Sequence, residues 1–466
     1  MNDFEFLRIL RTLLVGRANE KDQFLVDQFD ESLSNNNYGT FFLSLYYLDQ
    51  NKTTVELKTK AKEFIIHKLS DLSPNPESAE FLKYLCYIEP IFPDSERDEI
   101  FNAYSNIITT SPEFYKFRFV PIIAEYLEGY HYRKVLKEVR RKMQEKYSVT
   151  SERFLSSPTL NGITIHSSKG GVGKTFCALL FSILAKRKSI ILDFDFHGAS
   201  LQFALADPSF LDKLKNVDFF SLYRYYKEVI DGKSISEINL DDYLWHVGAP
   251  ELPIRSLIQT GGYSLGLYLE NESNKEEFVD SIIRLLEHLF LKENFLILDN
   301  SPGLYGHTNT ILFIANILKF LPIYITTLKP DSLLPILYEL PWNITETATM
   351  PLIVVNKCER EFDLSTFISE GQSNKLPFSE NNIFQYNDYL MALKMMIPIP
   401  SSGTDPRGGI LHLGNNRQVP YVCIPYEPKV EERKILTTEI AQLYADLLDD
   451  TAKVSIESAL SGRCNL

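Results

Sequence analysis

The spacing of apolar residues changes character once along this chain, near residue 160. Before that point apolar residues recur at three and four, as in Phe6, Ile9, Leu10, Leu13 and Leu14, and again in Val55, Ala61, Phe64, Ile65 and Leu69. That period puts them on one face of a helix. Breaks fall at Asn35-Asn36-Asn37, Pro74-Asn75-Pro76, Pro93 and Ser111-Pro112, where Asn and Pro favour turns. Residues 1–150 are expected to form an α-helical accessory domain, and the serine-rich stretch Ser148 to Pro158 reads as a linker. From Asn161 onward, apolar runs of four to seven residues alternate with helical patterns. Such alternation marks a parallel sheet with crossover helices. Strands are expected at 162–166, 189–193, 294–298, 321–327, 350–356 and 420–424, and helices near 175–187, 275–291, 308–318 and 434–448. The expected class is α/β: a mostly parallel, Rossmann-like sheet flanked by helices, preceded by a separate α-helical domain. The second domain spans 159–466. Within it, about sixty residues between Cys358 and Val419 are long for a loop. They are expected to form an inserted subdomain or a partner-facing excursion.

The junction between the first strand and the first helix of the second domain carries the chemistry. It reads Ser167-Ser168-Lys169-Gly170-Gly171-Val172-Gly173-Lys174-Thr175. Strand, glycine-rich turn and helix in that order bind polyphosphate. Successive backbone N–H groups point at the anion, and the helix N-terminus adds positive potential. Glycines let the backbone approach closely and take positive φ. Gly170, Gly171, Val172, Gly173, Lys174, Thr175 and Phe176 are the candidate nucleotide-binding residues. In such a loop the lysine, here Lys174, reaches the β- and γ-phosphates and the hydroxyl, here Thr175, holds Mg²⁺.

Carboxylates follow at two strand ends. Ile190-Ile191-Leu192-Asp193-Phe194-Asp195 places two acids two residues apart, projecting the same way. Phe295-Leu296-Ile297-Leu298 runs into Asp299-Asn300-Ser301-Pro302-Gly303. An apolar strand ending in Asp is the arrangement that bonds a Mg²⁺-bound water. Beside a phosphate loop, one acid of the first pair can serve the metal shell and the other can orient an attacking water.

The loop departs from the common G-x-x-x-x-G-K-[ST] form: Ser168 replaces the first glycine, and a second lysine, Lys169, lies inside it. In this respect KGGVGKT resembles the deviant Walker A of the ParA/MinD ATPases. The resemblance covers about residues 160–450. It implies that Lys169 reaches the nucleotide of a partner subunit, that Asp195 positions the attacking water, and that Asp193 supports Thr175 and Mg²⁺. The catalytic set it implies is Lys169, Lys174 and Asp195, and the metal set is Thr175, Asp193 and Asp299. Asp299-Asn300-Ser301-Pro302-Gly303 resembles the family's second switch loop, where the Gly303 N–H swings toward the γ-phosphate. Weaker matches are Ile325 to Ser332, before the family's interface helix, Asn356, beside the base, and the closing turn at Pro425. Phe196-His197 stands where relatives often carry proline or glutamine.

Composition narrows the partners. The chain has 466 residues and a formal charge of −13. Residues 1–150 hold 20 Lys+Arg and 23 Asp+Glu, which leaves 28 against 38 for residues 151–466. An acidic nucleotide domain does not support DNA binding, which is driven by phosphate neutralisation. The most basic stretch is Arg133 to Lys146. It reads as a solvated helix face paired with Glu138 and Glu145, with a contact to nucleic acid or an acidic protein as the alternative. Five scattered cysteines fit a reducing cytoplasm and give no metal framework. The N-terminal segment reads as an amphipathic helix rather than a signal peptide. The last sixteen residues are poor in basic and apolar positions, so membrane anchoring is not expected.

These readings imply a Mg²⁺·ATP-dependent switch: a homodimer with ATP sandwiched between subunits, slow hydrolysis, a protein partner and a cytoplasmic place. The alternative is a non-hydrolysing, ATP-dependent scaffold whose work lies in the helical domain. A tyrosine kinase of related fold would need tyrosines in the tail, and residues 451–466 have none. An iron–sulfur carrier would need bridging cysteines near the acids, and none stands there.

Overall fold

The computed structural model describes residues 3–35, 37–48, 54–73, 92–110, 160–195, 275–290, 294–303, 307–329, 350–358, 408–413 and 417–425, with short pieces such as 145–147, 245–246, 254–257, 331–333 and 396–398. Among the described residues five helices come first: α1 (Asp3–Gly16), α2 (Ala18–Asn35), α3 (Tyr38–Tyr47), α4 (Val55–Ser70) and α5 (Asp94–Thr110). The linker 148–158, most of the basic stretch before it, and most of 434–448 lie outside the described residues. Two helix starts have side-chain caps. Asn37 accepts from the Thr40 N–H and Thr54 from the Leu57 N–H, each satisfying a donor that the helix cannot.

The α/β part then runs β1 (Gly162–His166), α6 (Lys174–Leu184), β2 (Ser189–Phe194), β3 (Trp245–His246), β4 (Ile254–Leu257), α7 (Lys275–Phe290), β5 (Phe295–Asn300), α8 (His307–Ile317), β6 (Leu321–Thr326), β7 (Leu352–Cys358), β8 (Met396–Pro398), β9 (Gly408–His412) and β10 (Gln418–Pro425). The described strands form one sheet in the order β3-β4-β2-β5-β1-β6-β7-β10-β9-β8. The seven strands from β4 to β10 pair in parallel. β3 pairs antiparallel at one edge, and β9 and β8 do so at the other. All six expected strands are present within two residues of their bounds. The described part of 358–419 extends the sheet by two strands rather than forming a loop.

Strict alternation along the strands sorts the core. Ile163 and Ile165, Ile191, Phe295 and Ile297, Ile323 and Ile325, and Val354 cluster with α6 on one face. The opposite face is shared. Ile190, Leu192, Phe194, Leu296 and Leu298 pack with α7 and α8. Tyr324, Ile353, Val355, Val419 and Tyr421 fall in one buried cluster with Phe6, Leu10, Phe29, Phe41, Phe42, Ile65 and Phe101 of the N-terminal helices. The helices precede the sheet in the chain, as expected, and in space they cover its β6-β7-β10 half. Each fully buried apolar side chain contributes about 1.5–3 kcal/mol, so this face is a major joint of the molecule.

Gly162 shows how tight the sheet centre is. A Cβ there would lie 2.6 Å from the Leu296 carbonyl oxygen and 2.9 Å from the Phe320 ring. The carbonyl belongs to the neighbouring strand and cannot give way cheaply. Gly162→Ala is expected to cost about 1–3 kcal/mol by overpacking. A urea midpoint lowered with unchanged slope would show it, and an unchanged midpoint would refute it.

Candidate nucleotide site

The parallel register brings the acids together. Asp193 of β2 stands beside Asp299 of β5, and Ile165 of β1 pairs with Asp299 on the other side. Both acids project toward the α6 face, by the same alternation that sends Ile191 and Ile297 there. The α6 N-terminus meets them. Its start is set by Gly173, in the left-handed region at φ 94°, with no side-chain capping bond. Gly171 is also left-handed, at φ 77°. The first N–H groups of a helix have no partner within it, and this helix start supplies no side-chain cap.

Thr175 Oγ donates to Asp299 Oδ2 at 2.8 Å. Asp195 N–H donates to Asp193 Oδ1 at 3.0 Å. Lys174, Thr175, Asp193, Asp195 and Asp299 are all buried. The remaining oxygens, Asp193 Oδ2 and Asp299 Oδ1, are buried with no hydrogen-bond partner. Burial pushes the Asp299 carboxyl up to about 6, against the pull of Lys174 and the Thr175 bond. Burial and the Asp299 charge raise Asp193 well above the usual range. Two orphaned carboxylate oxygens beside a hydroxyl and an uncapped helix start fit a Mg²⁺-phosphate group, which would satisfy both. Among the described residues no group of three His, Cys, Asp or Glu forms a metal cage of its own. Such a cation would be completed by phosphate oxygens and water.

Three bonds brace the loop from its sides. Asn356 of β7 donates from Nδ2 to the Val172 carbonyl at 2.8 Å. It sits so close that a Cβ on Gly173 would come within 2.4 Å of it. Ser168 Oγ donates to the Ser332 carbonyl at 2.7 Å. Gly303, at φ 109°, donates its N–H to the Ser167 carbonyl at 2.9 Å. Lys169 reaches outward and pairs with Asp331, both side chains being about half exposed. Val172 is buried, Phe176 half-buried, and Gly170 and Gly171 exposed. Pro425 ends β10.

The loop, Lys174, Thr175, Asp193, Asp195, Asp299 and Asn356 therefore converge. Pro425 lies on β10, which pairs with β7, the strand of Asn356, and its register partner there is Cys358. Residues 196–200, with His197, and Tyr426 to Pro428 lie outside the described residues. Sequence reasoning missed the opposite face. There Asn300 Nδ2 donates to Thr164 Oγ and to the Ile165 carbonyl, each at 2.9 Å. Thr164 Oγ in turn lies 2.9 Å from His166 Nε2. Burial and Lys174 hold His166 down to about 3, so its ring is neutral. The alternation of polar Thr164 and His166 within an apolar strand was the available signal. Ser332 closes the turn after β6 by bonding Thr326 Oγ and the Thr327 N–H; the sequence marked that turn, but not its bond to Ser168, which is 164 residues away.

A strand, a glycine turn and a helix at the centre of a parallel sheet, with acids at adjacent strand ends, define an α/β fold with a phosphate-loop geometry. Among solved structures the chain is similar to the MinC:MinD cell division protein complex of Aquifex aeolicus, with TM-score 0.39 and 14% identity over 64% of this chain and 95% of that one. It is similar to the septum site-determining protein MinD of Pyrococcus horikoshii OT3 complexed with Mg-ADP, with TM-score 0.36 and 16% identity over 64% and 95%. It is also similar to a plasmid partition protein of Borrelia burgdorferi, with TM-score 0.31 and 17% identity over 50% and 96%. No protein-family model matches the chain, and no curated protein matches it. These TM-scores and identities are low, and the function of this chain rests on its own residues.

Asp299→Asn gives a test of the buried charge. The variant keeps the shape and an acceptor for Thr175. Asp299 titrates at about 6 folded against an ordinary 3.8, a difference of about 3 kcal/mol. The raised value means that ionisation opposes folding. Without nucleotide or Mg²⁺, Asp299→Asn is expected to be more stable than wild type above pH 6. The gap should close as pH falls from about 6 toward 3.8, where both forms are neutral. Thermal melts of both proteins between pH 4 and 8 measure it. A gap that is constant with pH would refute the assignment.

Proposed function

We propose that this chain is a Mg²⁺·ATP-binding ATPase switch of the ParA/MinD type. The observation that carries the reading is the pair of orphaned, buried carboxylate oxygens facing Lys174, Thr175 and an uncapped helix start. A protein keeps unsatisfied buried charge where a ligand completes it. Bound Mg²⁺ would neutralise charge on the β- and γ-phosphates, with Thr175, Asp193 and Asp299 as the residues to hold it. Lys174 and the loop N–H groups bind the phosphates. Asp195 orients the attacking water. Asn356 and Pro425 are assigned to the base side, Asn356 through the loop it braces. Catalysis in this reading is positioning and charge stabilisation, with slow turnover.

Lys169 acts in trans in a dimer with ATP sandwiched between subunits. In the single chain it pairs with Asp331. An ion pair of two half-exposed side chains is worth about 0–1 kcal/mol, so a partner's phosphate outcompetes Asp331. Gly303 supplies the nucleotide sensor. Its N–H, now on the Ser167 carbonyl, turns to the γ-phosphate when ATP is bound. The output is control of a protein partner. Residues 1–150 are the accessory domain of this reading, residues 159–466 the ATPase domain, and 358–419 an insertion. No described helix is long and apolar enough to cross a membrane.

Titration calorimetry tests the central claim: Lys174→Ala is expected to lose Mg²⁺·ATP binding. Equal affinity in both proteins would overturn it. Asp195→Ala should bind ATP as wild type does while phosphate release falls to background. Unchanged release would move the water-positioning role elsewhere. On the Asp195→Ala background, light scattering should show a doubled mass with ATP and not with ADP. Lys169→Ala should bind ATP and stay monomeric. A mass independent of nucleotide, or normal dimerisation of Lys169→Ala, refutes the sandwich.

A further inference from the structure

The amide, hydroxyl and imidazole behind the phosphate loop form one bonded group at the ends of β1 and β5. Asn300 ends β5, directly after Asp299, and is fully buried. Its Nδ2 donates to Thr164 Oγ and to the Ile165 carbonyl at 2.9 Å each, and stands 3.4 Å from the Leu298 carbonyl. Carbonyls only accept, so this end of the amide is its NH₂. The Thr164 hydroxyl has one proton to give, and His166 Nε2 lies 2.9 Å away to take it. Burial and Lys174 keep that ring neutral, so the ring's own proton sits on Nδ1. Tyr324 packs against the imidazole, ring centroids 5.5 Å apart.

This group is a poor choice for stability alone. Asn300 Oδ1 is buried with no hydrogen-bond partner among the described residues. The same face of β5 carries Leu296 and Leu298, packed with α7 and α8. An apolar residue at 300 would continue that face and leave no buried acceptor unpaired. The place of Asn300 in the chain accounts for the polar residue. The acid before it, Asp299, receives the Thr175 hydroxyl. The serine after it, Ser301, is buried and donates from Oγ to the Phe194 carbonyl at 3.0 Å. Asn300 thus ties the end of β5 to β1, and Ser301 ties it to β2. Beyond Ser301 the character changes. Pro302 is exposed, and Gly303, at φ 109°, rests its N–H on the Ser167 carbonyl. The boundary between anchored and exchangeable backbone falls between Ser301 and Pro302.

We propose that Asn300 is a positioning residue for ATP hydrolysis: anchored to Thr164 and the Ile165 carbonyl, it holds the Asp299 carboxylate in place while Pro302-Gly303 turns. The inference rests on the nucleotide switch proposed above. In that switch the Gly303 N–H leaves Ser167 for the γ-phosphate, and the pull on the chain runs back toward Asp299. Asn300 and Ser301 stop it. A reacting group displaced by about 1 Å costs about a hundredfold in rate, so the stop matters to the metal carboxylate. His166 acts through Thr164. By taking the Thr164 proton on Nε2, it leaves the lone pairs of that oxygen to the Asn300 amide.

The test uses the full chain and compares wild type with Asn300→Leu, Thr164→Val and Thr164→Ser. Calorimetry gives the affinity for ATP in EDTA, and phosphate release at saturating ATP is followed as Mg²⁺ is raised. Asn300→Leu should bind ATP without metal to within about twofold of wild type. It should need about tenfold more Mg²⁺ for half its maximal rate, a change of about 1.4 kcal/mol. Thr164→Val should shift the Mg²⁺ midpoint the same way, and Thr164→Ser should restore it. A merely structural role would lower the melting temperature and the amount of active protein, and leave the midpoint where it is. That result overturns the inference and leaves the nucleotide switch standing. If wild type neither binds nor hydrolyses ATP, the switch itself falls and this inference with it. If Asn300→Leu fails to fold, the pair Thr164→Val and Thr164→Ser decides. Nitrogen NMR of ¹⁵N-histidine-labelled protein, with the His166 signal assigned by its loss in His166→Asn, reads the bonded group without nucleotide. The proton is expected on Nδ1 in wild type, and a proton on Nε2 would overturn the arrangement.

Discussion

Three carboxylates, Asp193, Asp195 and Asp299, and one ammonium share a buried space at the C-terminal ends of β1, β2 and β5, and the rest of the site answers to that fact. Among the described residues Lys174 is the cation that acts on Asp193 and Asp299. It offsets part of the cost, and the values of Asp193 and Asp299 still rise. A charge group left in this state costs several kcal/mol in a dry interior. In the function proposed above, a cation and a polyanion together would remove that cost. The loop's glycines, the absent helix cap and the Thr175 bond would all serve to admit them.

The sheet makes the site rigid. Its centre is packed so closely that Gly162 has no room for a methyl group. Lateral bonds from Asn356, Ser332 and Gly303 then hold the loop from three directions. Each is worth about 1 kcal/mol net. The bonds differ in what they are attached to. Asn356 belongs to a central strand and stays put. Gly303 sits in a left-handed turn after β5 and can exchange partners, and Lys169 pairs with Asp331 at the surface. Fixed and exchangeable braces on one loop would suit the nucleotide-controlled switch proposed above.

The N-terminal helices enter this picture through the sheet. They bury Tyr324, Ile353 and Val355, residues whose strands carry Thr326 and Asn356 toward the site. Tyr324 also packs its ring 5.5 Å from that of His166, directly behind the glycine loop. The covered face and the loop are therefore linked through β6 and β7.

Much of this was legible in the residues. Apolar runs of four to seven gave the six main strands because parallel strands buried on both faces tolerate little else. KGGVGKT gave the loop because few residues other than glycine accept φ of 77° and 94°. The acids of 193, 195 and 299 were legible because each ends an apolar strand. The outer strands β3, β4, β8 and β9 were not, being short and weakly patterned. Nor were the partners of Asn356, Lys169 and Ser168, or the sharing of one core by the helices and the sheet. Local sequence fixes period and backbone freedom, which depend on neighbours in the chain. Whether Asp193 faces Asp299, or Ser168 finds a residue 164 positions away, depends on strand order and register. Those are settled only when all the strands compete for the same core.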